Sequence, residues 1–150
     1  MSGTGIFKKL FNGFYRVSRR TPGWYVSFYD VFYEALVNDF SFDQTLEAIF
    51  RATGRVEASF ASKIRASIDE SSVVIDSVVL SNVGLKLSRS DDPQQRMRAA
   101  LQTYKDLEKS IAAIRASDLG IFIIDEFRRS YPHATVTDVK AIDLTLWQLR

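Results

Sequence analysis

Apolar residues return along this chain at helical intervals, and polar or turn-forming residues fall between the runs. Phe7, Leu10, Phe11 and Phe14 lie three and four apart, with Val17 extending the stripe. Tyr25, Phe28, Tyr29, Phe32, Leu36 and Phe40 form a broad second stripe, against which Asp30 and Glu34 mark the wet side. Leu46, Ile49 and Phe50 give a third, and Val56, Phe60, Ile64 and Ile68 a fourth at intervals of four. The longest pattern is Met97, Leu101, Tyr104, Leu107, Ile111 and Ile114, whose later steps of three and four resemble a coiled-coil seam. Val139, Ile142, Leu146 and Leu149 close the chain in the same manner.

The punctuation agrees with these stripes. Thr21-Pro22 is a helix start, because a threonine hydroxyl can cap and proline suits the first helical position. That helix is expected to reach about Asn38. Ser41 and Gln44 have the spacing of a capping box, and Asp43 sits where the helix dipole favours an acid. Gly54 is placed to stop the next helix in a left-handed conformation. The segment 19–54 therefore predicts a helical hairpin. Leu87 to Asp92 is expected to be a surface loop, and Asp92-Pro93 to open a long helix ending near Ser117. Gly120 interrupts. Ile121 to Arg129 suits either a helix or a buried strand, Tyr131-Pro132-His133 breaks the chain, and Thr137-Asp138 opens the last helix. Between Ser71 and Leu87 the β-branched runs Val73-Val74-Ile75 and Val78-Val79-Leu80 would suit a strand. A lone strand has no partner among helices, so helix is the expectation. The pattern thus predicts an all-α fold, a single-domain bundle of about six to eight helices, with a basic amphipathic N-terminal helix in 1–20 and the helical bundle domain in 21–150.

Composition narrows the function classes. A chain of 150 residues, 46% hydrophobic and 25% charged, is long enough for one real core. With no cysteine there is no disulfide, thiolate metal site or thiol nucleophile. No apolar run approaches the length of a membrane span, and Lys8, Lys9 and Asn12 break the N-terminal run that a signal peptide would need. The only histidine, His133, sits beside a proline in an expected loop with no assignable orienting carboxylate. Asp91-Asp92 and Asp125-Glu126 are adjacent in sequence and so diverge on a helix, which makes neither a carboxylate dyad. Gly3 and Gly5 lack the strand and lysine of a phosphate loop. No enzyme, metal or cofactor is expected. The aromatics of 24–40 could serve as a platform for bases, but their helical spacing makes most of them core.

Charge supplies the remaining signal. Lys8, Lys9, Arg16, Arg19 and Arg20 stand without an acid in the first 22 residues, whereas the remainder holds 15 basic and 18 acidic side chains. A basic end on a mildly acidic body suits an anionic membrane surface, with the apolar stripe inserted and the cations at the headgroups. It also suits a helix simply packed on the domain. Nucleic acid ranks lower, because the acidic body opposes a phosphate footprint. The candidate partner or membrane surface comprises Lys8, Lys9, Phe11, Arg16, Arg19, Arg20 and the off-stripe Tyr33. A soluble effector, chaperone or adaptor binding a partner protein, and a small nucleic-acid-binding regulator, are the alternative functions. A homo-oligomer is compatible with each.

The segment FYDVFYEALVNDFSFDQTLEAI resembles the N-terminal cytoplasmic module of the inner-membrane platform proteins of type II secretion and type IV pilus systems (the F family). Phe28 and Tyr29 match its opening aromatics, Phe32, Ala35 and Leu36 its apolar stripe, and Phe42, Leu46 and Glu47 the start of its second helix. The stretch from Asp91 to Ser117 is similar to the family's later loop and long charged helix. The family's turn glycine is replaced here by Asn38-Asp39-Phe40-Ser41, and its glycine-rich loop by Leu87 to Asp92. The resemblance implies a non-catalytic scaffold, cytoplasmic and held at the inner-membrane face. It would contact an assembly ATPase or neighbouring subunits, and this chain would be a domain cut from a longer membrane protein.

Overall fold

A computed structural model describes residues 3–149, and those residues form eight helices and no strand. They are α1 (Gly3–Phe14), α2 (Pro22–Asn38), α3 (Phe42–Thr53), α4 (Ala58–Ile68), α5 (Ser77–Asn82), α6 (Pro93–Ala116), α7 (Asp118–Ser130) and α8 (Asp138–Gln148). The all-α bundle read from the periodicity is the observed fold, at the upper end of the expected helix number.

The capping residues act as their chemistry requires. Thr21 accepts from the Trp24 N–H, and Pro22 opens α2. At α3 both halves of the capping box form: Gln44 N–H donates to Ser41 Oγ, and Ser41 N–H to Gln44 Oε1 at 2.9 Å. Gly54 ends α3 at φ 70, where only glycine is unstrained. The α2–α3 turn reaches the same left-handed region without glycine. Asp39 adopts φ 49, and its carboxylate is held by Arg65 at 2.6 Å, while Arg65 also donates to the Phe40 carbonyl. Aspartate tolerates this conformation better than most side chains.

One core joins the helices. Trp24 stacks on Phe28 with ring centroids 4.9 Å apart, and Phe11 of α1 meets Phe32 edge-on at 5.0 Å. Phe42 of α3 stacks on Tyr104 of α6 at 3.9 Å, tying the first hairpin to the long helix. Leu46, Ile49, Ile64, Leu107 and Ile142 are fully buried between them. The stripes hold in the main, with exceptions. Leu36, on the expected face of α2, is exposed, as is Leu149. α1 covers Tyr29 and Phe32, and Leu36 lies one turn beyond them.

Two expectations are corrected. Residues 73–76 are irregular rather than helical, and α5 begins only at Ser77. This piece needs no neighbouring strand at Ile75, because α4 supplies the hydrogen bonds there. Ser62 Oγ accepts from the buried Ile75 N–H at 2.9 Å, and Ser59 Oγ donates to the Ile75 carbonyl at 2.8 Å. Val73, Val74 and Ile75 can then all be buried. The second correction concerns Gly120, which does not separate two elements but lies in the first turn of α7. Ser117 is the hinge: its N–H donates to the Ile114 carbonyl at the end of α6, and its Oγ accepts from Gly120 N–H at the start of α7. A Cβ on residue 120 would sit 1.8 Å from the Ile114 oxygen, so the closeness of α6 and α7 demands glycine. The segment after it is helical, and Ile121 and Phe122 are exposed.

Candidate functional site

α1 packs on α2 by one side only. Phe11 is 6% exposed and fills the space against Phe28, Tyr29 and Phe32, so it anchors the helix and does not form part of its outer surface. The Tyr29 hydroxyl fixes the register: it donates to Asn12 Oδ1 at 2.6 Å and lies 3.2 Å from the Lys8 carbonyl. Burial, reinforced by the neighbouring Tyr33 and Tyr25, pushes the Tyr29 phenol up to about 12. The chain after α1 turns through Arg16 and Arg19, both at positive φ, before Thr21 restarts it. Val17 is buried at this link, and its carbonyl accepts from the Tyr25 hydroxyl.

The other side of α1 carries Ile6, Leu10 and Phe14, four residues apart and open to solvent, with Leu10 67% and Phe14 60% exposed. Lys9 and Gly13 border them along a shallow apolar depression. This departs from the usual amphipathic logic, in which the apolar stripe of a surface helix faces the core. Here the apolar arc is wide enough to serve both the core, through Phe11, and the exterior.

The seven candidate residues separate into distinct groups. Lys9 and Arg19 are exposed, and their side chains make no hydrogen bond or ion pair among the described residues. Lys8 is half-buried, with its ammonium 4.8 Å from the centre of the Tyr29 ring and 5.6 Å from that of Tyr33. The Tyr33 hydroxyl is buried without a hydrogen-bond partner. Arg16 is exposed and stacks over Trp147 of α8, 5.2 Å from the ring. Arg20 is engaged inside the fold: it pairs with Glu57 at 3.1 Å and lies over the rings of Trp24 and Phe60. α1 and the link after it therefore gather exposed cations beside an exposed apolar stripe, while Phe11 and Arg20 turn inward.

His133 is exposed in the α7–α8 loop, and no group of three His, Asp or Glu side chains among the described residues could hold a metal. Among those residues no helix is long and apolar enough to cross a membrane. The chain matches no protein-family model, no curated protein and no solved structure.

Lys63, Lys140 and Asp143 were not singled out by the sequence pattern, yet α4 and α8 bring them together beside the end of α1. The one local hint was the three-residue spacing of Lys140 and Asp143, which form an ion pair at 3.1 Å. Lys63 falls within an apolar helix, where its sequence position suggests nothing.

Proposed function

We propose that this domain is a non-enzymatic interaction module that docks on an anionic membrane surface through the outer face of α1. The observation that carries the proposal is the outward stripe of Ile6, Leu10 and Phe14 on a helix held to the domain by its opposite side. Monomeric proteins seldom expose such a stripe on an ordered helix without a partner for it. The first 22 residues contain no acid, so the charge beside the stripe is of the sign that anionic lipid attracts. An interfacial helix of this type inserts its apolar face at the headgroup boundary and leaves its cations among the phosphates. The likeness of Phe28–Glu47 to the platform proteins of secretion and pilus systems supports the same setting. On that likeness the domain scaffolds an assembly at the cytoplasmic face of the inner membrane and contacts an ATPase or neighbouring subunits.

Co-sedimentation with vesicles tests the proposal. The protein should pellet with vesicles of phosphatidylcholine and phosphatidylserine and remain in solution with phosphatidylcholine alone. Raising the salt should release it. The variant Ile6→Glu/Leu10→Glu should lose binding while keeping the wild-type helical signal and urea midpoint, because both positions face solvent. Binding that survives this double substitution, or no binding to anionic vesicles by the wild type, would refute the proposal.

A further inference from the structure

A cleft of about 580 Å³ lies between the end of α1, α4, the start of α5 and α8. Its size falls in the range of small-molecule sites. Its floor is charged in an unusual way. Lys63 of α4 is 8% exposed and lines the cleft, yet its ammonium makes no hydrogen bond or ion pair among the described residues. The ammonium lies over two aromatic rings, that of Phe60 at 5.2 Å and that of Tyr15 at 5.6 Å. A buried lysine without an anionic partner is costly, and proteins normally pair it. Burial accordingly holds the Lys63 ammonium below its usual value, and Asp76 and Asp143 only partly offset that effect from a distance.

The other charges of the cleft are already committed. Lys140 pairs with Asp143 at 3.1 Å, and burial lifts the Asp143 carboxyl above its ordinary range despite that partner. Asp76 caps α5 by accepting from the Val78 N–H at 2.8 Å. Arg16 lies over Trp147. Three cationic side chains face two carboxylates, which leaves one positive charge in excess; Arg16 and Lys63 both lack an anionic partner, and of the two only Lys63 is buried. Phe14, Val78 and Trp147 supply apolar wall beside it.

We propose that this cleft binds an organic monocarboxylate with a flat apolar body, its carboxylate on Lys63 and its body against Trp147 and Phe14. A single excess positive charge matches a monoanion. A phosphomonoester dianion would bring one more negative charge toward Asp76 and Asp143 than the cleft can balance. The carboxylate would supply the acceptor that Lys63 lacks, and the charge-assisted bond so formed is of the stronger kind.

Isothermal titration calorimetry in membrane-free buffer tests this with three probes of one shape: 2-naphthoate, neutral 2-naphthalenemethanol and 2-naphthyl phosphate. The expected order is naphthoate tightest, with the alcohol at least roughly tenfold weaker, as the loss of a hydrogen bond to a charged group implies. Lys63→Met keeps the length and the packing but removes the charge, and it should weaken naphthoate by roughly the same factor. Lys105→Met, on the outer side of α6, should leave it unchanged, and so should Leu10→Glu. Amide resonances of α4 and α8 should shift on titration with naphthoate. The proposal fails if no naphthoate binding is detected, if the alcohol or Lys63→Met binds naphthoate's site equally well, or if the phosphate binds tighter than the carboxylate.

Discussion

Single side chains decide where this bundle departs from its periodicity, and Ser62 shows how. It is fully buried on α4, where a serine at an apolar position would ordinarily leave an unsatisfied hydroxyl. Here Ser62 Oγ donates to the Ser59 carbonyl and accepts from Ile75 N–H, so two backbone groups depend on it. Ser62→Ala leaves the buried Ile75 N–H without a partner and should lower stability by about 1–3 kcal/mol. Ser67→Ala, one and a half turns along on an exposed position, should change it by less than about 0.5 kcal/mol. Urea midpoints of the two variants measure the difference, and equal midpoints would remove Ser62 from its assigned role. The sequence carried no sign of this arrangement. A hydrogen bond between residues of α4 and a segment past the next turn depends on tertiary placement, which periodicity does not encode. For the same reason the β-branched run at 73–75 could be identified as apolar, but the helix proposed for it could not be tested against a partner that only the fold supplies. Gly120 illustrates the converse. Its position as a break was visible, but the reason for it is a close approach to the Ile114 carbonyl, which turns the apparent interruption into a tight junction.

At the scale of elements, legibility was high wherever the signal was local. The caps at Thr21, Ser41, Asp92 and Thr137 bond backbone groups two or three residues away, so their residue types alone announce them. The faces of helices were less legible, because a stripe shows that a face is apolar without showing what covers it. α1 is the clearest case. Its stripe mixes Phe11, inside, with Leu10 and Phe14, outside. Truncation separates the two roles. Phe11→Ala removes a ring that meets those of Phe7, Tyr15, Phe28 and Phe32 within 6.0 Å and also contacts Tyr29, and it should cost about 3–5 kcal/mol. Leu10→Ala should cost less than about 0.5 kcal/mol in the same urea titration, while weakening the binding to anionic vesicles that Phe11→Ala, if α1 still docks, would retain in part. Equal losses of stability at the two positions would mean that α1 is not seated on α2 by the face described. Arg20 shows the same limit in a charged residue: its sign was evident in the sequence, but its pairing with Glu57 was not.

For the whole molecule, the helices are tied together by buried tyrosines whose ionisation should set an alkaline limit on stability. Tyr29 joins α1 to α2 through Asn12, and Tyr104 of α6 stacks on Phe42 of α3. Burial comes first in raising both, with the neighbouring Tyr33 and Tyr25 acting on Tyr29 and Glu108 on Tyr104, and each phenol is pushed up to about 12 from 10.0. The sign follows from proton linkage. Between the unfolded value near 10 and the folded value near 12, the unfolded chain loses the phenolic proton that the folded one keeps, so folding binds a proton and stability falls as pH rises. The contribution of each group is fully present below pH 10 and is lost through the window up to about 12. Lysines and other tyrosines titrate in the same range, so the comparison that isolates the pair is the wild type against Tyr29→Phe/Tyr104→Phe. At neutral pH the double variant should be slightly less stable, since it lacks the hydrogen bond to Asn12, worth about 1 kcal/mol. As the pH climbs from about 9 to about 11.5, the wild type should lose stability faster, and the gap between the two urea midpoints should close and then reverse. A gap that stays constant across that range would show that neither phenol is held back from ionising by the packing that joins the two halves of the bundle.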